Sequence, residues 1–328
     1  MVERHPGRIY ASPLACIDRQ AGILAGVTEP AQPNVEALVD LASDWWPEYE
    51  WAQAEVYHGA FHDVLVVPGQ VVARLVRHAA DRLVEEHRIL TIFSAGQRRW
   101  ITPQALSPVH TAPGKGAGML TSWVPGRHRT TASWPQVAEG ITSLLQAVEA
   151  GTAFAATDEL AEPRAWCGGD LFPRIVADRL LELLPRNGVR DPARRVVLDM
   201  LAAEQTVAPT PVHGDLGMHN ILWHDDDTDR KPQSTISGLI DLDHAALGDP
   251  AIDIAPLLGQ FGTAALADAV SPKLLRRAML HRATLSLQVA AAADLRGDKA
   301  LRNFALSNFA SRYTAGTLYD PDGTVPDR

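Results

Sequence analysis

The sequence predicts an α+β chain built in two parts, a small strand-rich one followed by a larger, mainly helical one. Three observations lead there. β-Branched and apolar runs separated by short turns fill residues 54–76 and return at 119–124. Beyond residue 130 the apolar residues recur at helical spacing instead. A length of 328 residues also gives a soft expectation of two units, at roughly 150 residues each. The division falls near Val124, so residues 1–124 make the first lobe with an N-terminal arm, and 125–328 the second.

The elements follow in order. Asn34 is placed to cap a helix reaching Trp46, with Leu38, Leu41, Ala42 and Trp45 at helical spacing and Pro47 stopping it. Strands are expected at residues 55–57, 64–67 and 71–76, joined by turns at His58-Gly59-Ala60 and Pro68-Gly69-Gln70, which is a three-strand antiparallel meander. Residues 81–93 read as a helix with Leu83, Ile89, Leu90 and Phe93 inward, and 119–124 as a further strand ended by Pro125-Gly126. Ser133 caps the next helix, which Gly151 closes. Ile175 to Leu184 carries another apolar face, Asp191-Pro192 opens a third helix, and 274–313 is an Ala/Leu-rich helical tail.

Composition narrows the function. Hydrophobic residues make up 46% and charged residues 21%, enough for a sizeable core. Thirty Lys+Arg against 39 Asp+Glu leave a net charge of −9, which argues against nucleic acid or an anionic membrane as partner and suits a small cationic molecule better. No run approaches the ~18 apolar residues of a membrane span. Residues 1–10 are polar, and Cys16 and Cys167 are too few and too far apart for a disulfide framework or a metal knuckle. The expectation is a cytoplasmic protein, monomeric or weakly dimeric.

The chemistry concentrates in residues 212–253. Val212-His213-Gly214-Asp215-Leu216-Gly217-Met218-His219-Asn220-Ile221-Leu222-Trp223 places a polar centre between two apolar flanks, as when a chain leaves a strand, makes a functional loop and enters another. Gly238-Leu239-Ile240-Asp241-Leu242-Asp243 reads as a strand ending in carboxylates, and Gly248-Asp249-Pro250-Ala251-Ile252-Asp253 opens a helix. A carboxylate, an amide oxygen five residues later and a further carboxylate are hard oxygen ligands suited to Mg²⁺, which keeps waters and binds substrate phosphates. A carboxylate left off the metal can accept a hydroxyl proton. Phosphoryl transfer needs those parts and a cation on the phosphates.

His-Gly-Asp with Asn five residues on, then Ile-Asp and Gly-Asp-Pro, resembles the aminoglycoside phosphotransferase family of antibiotic kinases, and the wording of 213–223 is similar to its viomycin/capreomycin phosphotransferases. The resemblance covers roughly residues 50–310 and is sharp over 212–253. It implies a bilobal, protein-kinase-like fold with a nucleotide-binding first lobe. It implies an ATP- or GTP-dependent, Mg²⁺-requiring transfer to a hydroxyl of an antibiotic, whether a viomycin-type peptide, an aminoglycoside or a macrolide. Carried over, Asp215 is the catalytic base, His213 buttresses its loop, and Asn220 and Asp241 hold Mg²⁺. Asp249 and Asp253 cap the next helix and brace the catalytic loop.

The resemblance also assigns the nucleotide side. Arg74 stands where kinases place Lys, with Glu86 as its partner; Arg77 takes that place if the strand register is shifted by three. Gly59 is the single glycine of the phosphate loop His58-Gly59-Ala60-Phe61-His62, so the full G-x-G-x-x-G pattern is missing. Ser122 and Trp123 fall where the adenine-binding hinge would lie. Other readings stay open beside these. Asp215 could be a turn carboxylate, Asp243 and His219 either site contacts or bystanders, and Asp158, Glu159, Glu162 and Asp170 a solvated face or the lining of a cationic pocket. The whole chain could instead be a kinase for a choline-like amine or small sugar, or an inactive nucleotide-binding module.

Overall fold

The computed structural model describes residues 34–58, 62–76, 80–94, 99–112, 116–154, 157–163, 171–185, 188–224 and 235–326. Cys16, Gly59, Arg77, Trp166, Cys167, Asp170 and the acidic run 225–229 lie outside the described residues.

Helix α1 (Val35–Trp45) starts where Asn34 Oδ1 accepts the Glu36 N–H at 3.0 Å and buries Leu38, Leu41 and Ala42. Strands β1 (Glu55–His58), β2 (Asp63–Val67) and β3 (Val71–Val76) form the expected meander. Helix α2 (Ala80–Ser94) follows, then β4 (His110–Ala112) and β5 (Gly116–Ser122). The antiparallel sheet runs β1-β2-β3-β5-β4. The short β4 carries too little apolar signal to be read from the sequence. The strand expected at 119–124 in fact runs from 116 to 122, because β3 begins at Val71, which pairs with Ser122 and leaves later residues no ladder partner.

Alternation along β3 divides its side chains between two environments. Val71, Ala73 and Leu75 join Trp46, Trp51 and Leu120 in the core beneath α1. Arg74 and Val76 face the opposite side, where Val76 packs with Leu83, Leu90 and Phe93 of α2. That places Arg74, alone among charged residues of β3, toward α2.

The second lobe opens with β6 (Arg127–His128) and α3 (Trp134–Glu149), whose N-terminus is held by a Ser133–Gln136 capping box. A short α4 (Leu171–Ile175) passes through wider and tighter turns before α5 (Arg190–Glu204). Strands β7 (Thr210–Val212), β8 (Ile221–Trp223), β9 (Ile236–Leu239) and β10 (Ala246–Gly248) make two small sheets, β6-β8-β9 and β7-β10. Helices α6 (Ala251–Phe261), α7 (Thr263–Leu266), α8 (Pro272–Leu295) and α9 (Lys299–Thr314) complete the chain. The expected helical tail is therefore two helices, the second capped by Asp298, whose Oδ1 accepts the Leu301 N–H at 2.9 Å. Strand β9 stops at Leu239, short of the expected 243, because Asp241 adopts a left-handed backbone (φ 64°) that no extended strand can continue.

The two lobes share one core. Leu83, Phe93 and Met119 of the first lobe belong to the same buried cluster as Leu144, Leu216, Trp223 and Leu257 of the second. The chain before Val124 is also stitched into the second lobe: Ile101 N–H donates to Ser237 O at 3.1 Å and Leu239 N–H to Ile101 O at 2.9 Å.

Packing of α1 on the sheet depends on Gly118, where an added Cβ would lie 2.6 Å from the Trp45 ring and 2.7 Å from Leu75. We expect Gly118→Ala to lower stability by about 1–3 kcal/mol through overpacking, read as a shift of the urea midpoint at unchanged slope.

Candidate active site

The loop between β7 and β8 is folded by its own polar groups. Gly217 N–H donates to Asp215 O at 2.8 Å and Asn220 N–H to Gly217 O at 2.9 Å, so residues 215–220 close two successive turns. Asn220 Nδ2 donates to the Asp215 carbonyl at 2.9 Å and lies 3.3 Å from Asp215 Oδ2. With its nitrogen engaged, the amide turns Oδ1 the opposite way. Asp215 and Asn220 are both buried.

His213 ties this loop to the chain after β9. Its Nδ1 accepts the Asp215 N–H at 3.3 Å, which leaves Nε2 as the protonated nitrogen, donating to Ile240 O at 2.9 Å. Both ring nitrogens serve backbone groups, so His213 acts as a buttress. Ile240 N–H in turn donates to Asn220 O at 3.0 Å, which brings Asp241 beside Asn220. Gly214 is required where the two segments meet: its φ is +82°, and a Cβ there would sit 2.2 Å from the His244 carbonyl oxygen.

Beneath the loop lies Asp253, on the first turn of α6. Its Oδ2 accepts the His213 N–H at 2.8 Å and its Oδ1 the Gly214 N–H at 2.9 Å. Burial raises this carboxyl to about 6, against the pull of His213 and the two donors. Asp249 Oδ1 accepts the Ala251 N–H at 2.9 Å, capping α6, while its Oδ2 receives Arg277 Nε of α8 at 2.7 Å.

The first lobe brings cations to Asp241 and Asp243. Arg74 Nε lies 2.5 Å from Glu86 Oε1 and Arg74 Nη2 donates to Asp241 Oδ1 at 2.8 Å. Helix phase selects Glu86: its neighbour Glu85 turns outward to Arg88 at 2.6 Å. Burial pushes the Glu86 carboxyl above its ordinary range against the pull of Arg74, with Asp243 and Asp241 adding to the push. Burial would likewise raise Asp241, but Arg74 and His62 bring it below the usual carboxylate range. His62 itself is driven down to about 4 by burial and by the Arg74 guanidinium, so its ring is neutral at physiological pH. A second arginine, Arg82 of α2, lies 2.5 Å from Asp243 Oδ2.

His219 stands 3.4 Å from Asp215 Oδ2; burial opposes its charge, yet the Asp215 carboxylate holds the ring above its ordinary range. Thus Asp215, His213, Asn220, Asp241, Arg74 and Glu86 converge. Ser122 does not join them. Pairing opposite Val71 turns its side chain to the α1 side of the sheet, where Oγ accepts the Gln104 N–H at 2.9 Å. Trp123 is half-buried just beyond the strand, and Asp158, Glu159 and Glu162 are exposed. The sequence reading missed Arg82 and gave His62 no role of its own; the one available signal for Arg82 was its place four residues before Glu86, on the same face of α2.

Among the described residues no group of three or more His, Cys, Asp or Glu is arranged to hold a metal ion by itself. An amide oxygen and one carboxylate make a two-ligand set, which suits a cation that takes its remaining oxygens from water and phosphate.

A family model described as the phosphotransferase enzyme family matches residues 57–287. The chain belongs to that family. This phosphotransferase is 29% identical over 285 residues to the viomycin phosphotransferase of Streptomyces vinaceus, covering 81% of the present chain and 95% of the other. Among solved structures it resembles the GDP complex of wild-type aminoglycoside 2'-phosphotransferase-IIIa, with a TM-score of 0.66 at 16% identity over 86% of this chain and 99% of that one. It also resembles the macrolide 2'-phosphotransferase of Brachybacterium faecium, with a TM-score of 0.55 at 18% identity over 85% and 98%. The fold of the phosphotransferase is thus the two-lobed, protein-kinase-like one that its motif implied.

Removing the brace beneath the loop should have two readouts. Asp253→Ala removes the hydrogen bonds that the buried His213 and Gly214 N–H groups make to its carboxylate, at about 1–3 kcal/mol each. We expect a correspondingly lower unfolding free energy by denaturant titration and a lower kcat even where the variant is fully folded.

Proposed function

We propose that this phosphotransferase moves the terminal phosphoryl group of ATP or GTP, with Mg²⁺, onto a hydroxyl of a cationic antibiotic of the viomycin and capreomycin type in the cytoplasm. The observation that carries the reading is the convergence, at one seam between lobes, of a buried carboxylate, an amide oxygen, a second carboxylate and a buried guanidinium. Each has a place in phosphoryl transfer. Asp215 accepts the proton as the substrate hydroxyl oxygen bonds to the γ-phosphorus and the bond to the nucleoside diphosphate breaks. His213 and Asp253 hold Asp215 in position. Asn220 Oδ1 and Asp241 would hold the Mg²⁺, which neutralises charge on the phosphates when bound. Arg74, kept charged by Glu86, would contact the same phosphates, with the chain around Trp123 just past β5 toward the rest of the nucleotide.

The Arg74–Asp241 pair supports this assignment electrostatically. Each is now the other's counter-ion at 2.8 Å. A Mg²⁺–nucleotide complex offers a cation to Asp241 and an anion to Arg74, so both could exchange partners without either charge being left uncompensated. The peptide-antibiotic class is supported by the viomycin phosphotransferase relative, similar over most of both chains, and by the net charge of −9.

Asp215→Ala should lower kcat by about 10²–10⁴-fold, the usual range for losing a general base, while nucleotide affinity holds; unchanged turnover removes Asp215 from the mechanism. Asp241→Ala should abolish Mg²⁺-dependent nucleotide binding in calorimetry. A nucleotide-consumption screen across peptide antibiotics, aminoglycosides, macrolides and simple amine alcohols, with mass spectrometry for the phosphate adduct, tests the substrate class. Turnover confined to amine alcohols overturns it.

A further inference from the structure

Helix α2 carries two charges on one face, four residues apart. Glu86 reaches Arg74 on β3, within the first lobe. Arg82 reaches across to the second lobe, with Nη2 2.5 Å from Asp243 Oδ2 and 3.4 Å from His244 Nε2. The Asp243 side chain is 2% exposed and Arg82 27%. Burial would raise Asp243, but His244 and Arg82 hold it below the usual carboxylate range.

The segment that Arg82 grips is the one on which the catalytic loop rests. Asp241 meets Arg74, Ile240 O receives His213, and the His244 carbonyl lies where Gly214 leaves no room for a Cβ. A rotation of α2 therefore moves two contacts together, Glu86 on Arg74 and Arg82 on Asp243. The apolar contacts of Leu83, Leu90 and Phe93 secure the helix to the core. They are non-directional, however, and leave its rotation less closely set than an ion pair does.

Resting on the phosphoryl-transfer reading above, we propose that the Arg82–Asp243 pair is a positioning clamp. It sets α2 over residues 241–244, and so fixes the place of Glu86 and Arg74 relative to the metal-side carboxylate Asp241 and the base Asp215. Arg82 is a positioning residue, acting on the nucleotide through Arg74 and Asp241.

The test is a double-mutant cycle in the full chain with Arg82→Gln, Asp243→Asn and the pair, alongside Arg82→Lys. Each single change removes the Arg82–Asp243 ion pair from one side, Arg82→Gln leaving the buried Asp243 with His244 at 3.6 Å, and the double removes both charges of the pair. Each single variant should lose about tenfold or more in kcat/KM for the nucleotide, with the acceptor KM unchanged, and the double should be no worse than the poorer single. Arg82→Lys should keep part of the activity, since it retains the charge but not the fork. Single losses that multiply in the double, or an acceptor KM that rises as far as the nucleotide KM, overturn the clamp. A wild-type enzyme that turns over beside an indifferent Arg82→Gln overturns the clamp alone. A wild type that neither binds nucleotide nor transfers phosphate overturns the underlying reading, and the clamp with it.

Discussion

Carboxylates withdrawn from water stay ionised only where cations follow them in. Asp241 and Asp243 lie together at the seam between the lobes beside the buried Glu86, and the arginines that answer them, Arg74 and Arg82, both come from the first lobe. The sheet can deliver Arg74 because β3 alternates strictly: its odd-numbered neighbours fill the core under α1 while the guanidinium faces α2. The helix delivers Arg82 from the same face as Glu86, one turn earlier, so that Glu86 meets Arg74 and Arg82 meets Asp243. Charge compensation thus joins what the hydrophobic core has already brought near, and it does so at the residues for which the nucleotide role is proposed.

The same seam explains an unusual backbone. Asp241 is the sole non-glycine residue among those described with a positive φ. Such a conformation costs roughly 1–3 kcal/mol and persists only when surrounding contacts over-determine it. Here they do. Ile240 is held on both sides, its carbonyl by His213 and its N–H by Asn220, while the Asp241 carboxylate is held by Arg74. The turn aims the carboxylate away from the strand direction and toward the cluster. Strand β9 ends early for the same reason that the site exists.

The 213–220 loop was legible because its residues are adjacent in sequence and chemically distinctive. His213, Asp215 and Asn220 can be picked out without knowing any long-range contact, and Asp241 follows from the apolar run before it. Alternation in β3 and helix phase in α2 bring Arg74 and Glu86 to the expected side, where they do pair. What escaped was non-local. The crossover of Ile101 onto β9 and of residues 104–106 onto β5 is made by backbone hydrogen bonds that leave no side-chain pattern, and β4 and β6 are too short to show periodicity. Arg82 escaped because one arginine on a partly exposed helix looks like any solvated charge until its partner, 161 positions later, is known.

Ser122 shows the limit of transferring a position without its geometry. A hinge residue was expected at the end of β5, and Ser122 stands there, yet the ladder with β3 turns its hydroxyl to the α1 side and commits it to Gln104. Its N–H is committed as well, donating to Gln104 O at 2.8 Å. Recognition of a base at this place would therefore fall to the chain just past the strand, around Trp123, where the backbone has left the sheet and no ladder claims its donors and acceptors. Two lobes that share a core and a charge cluster leave the hinge little to carry mechanically. Opening the seam would have to break the shared core, the Ile101 bonds to β9 and the pairs of Arg74 and Arg82 with their carboxylates, and of these the pairs are the contacts that a Mg²⁺–nucleotide complex would most directly rearrange.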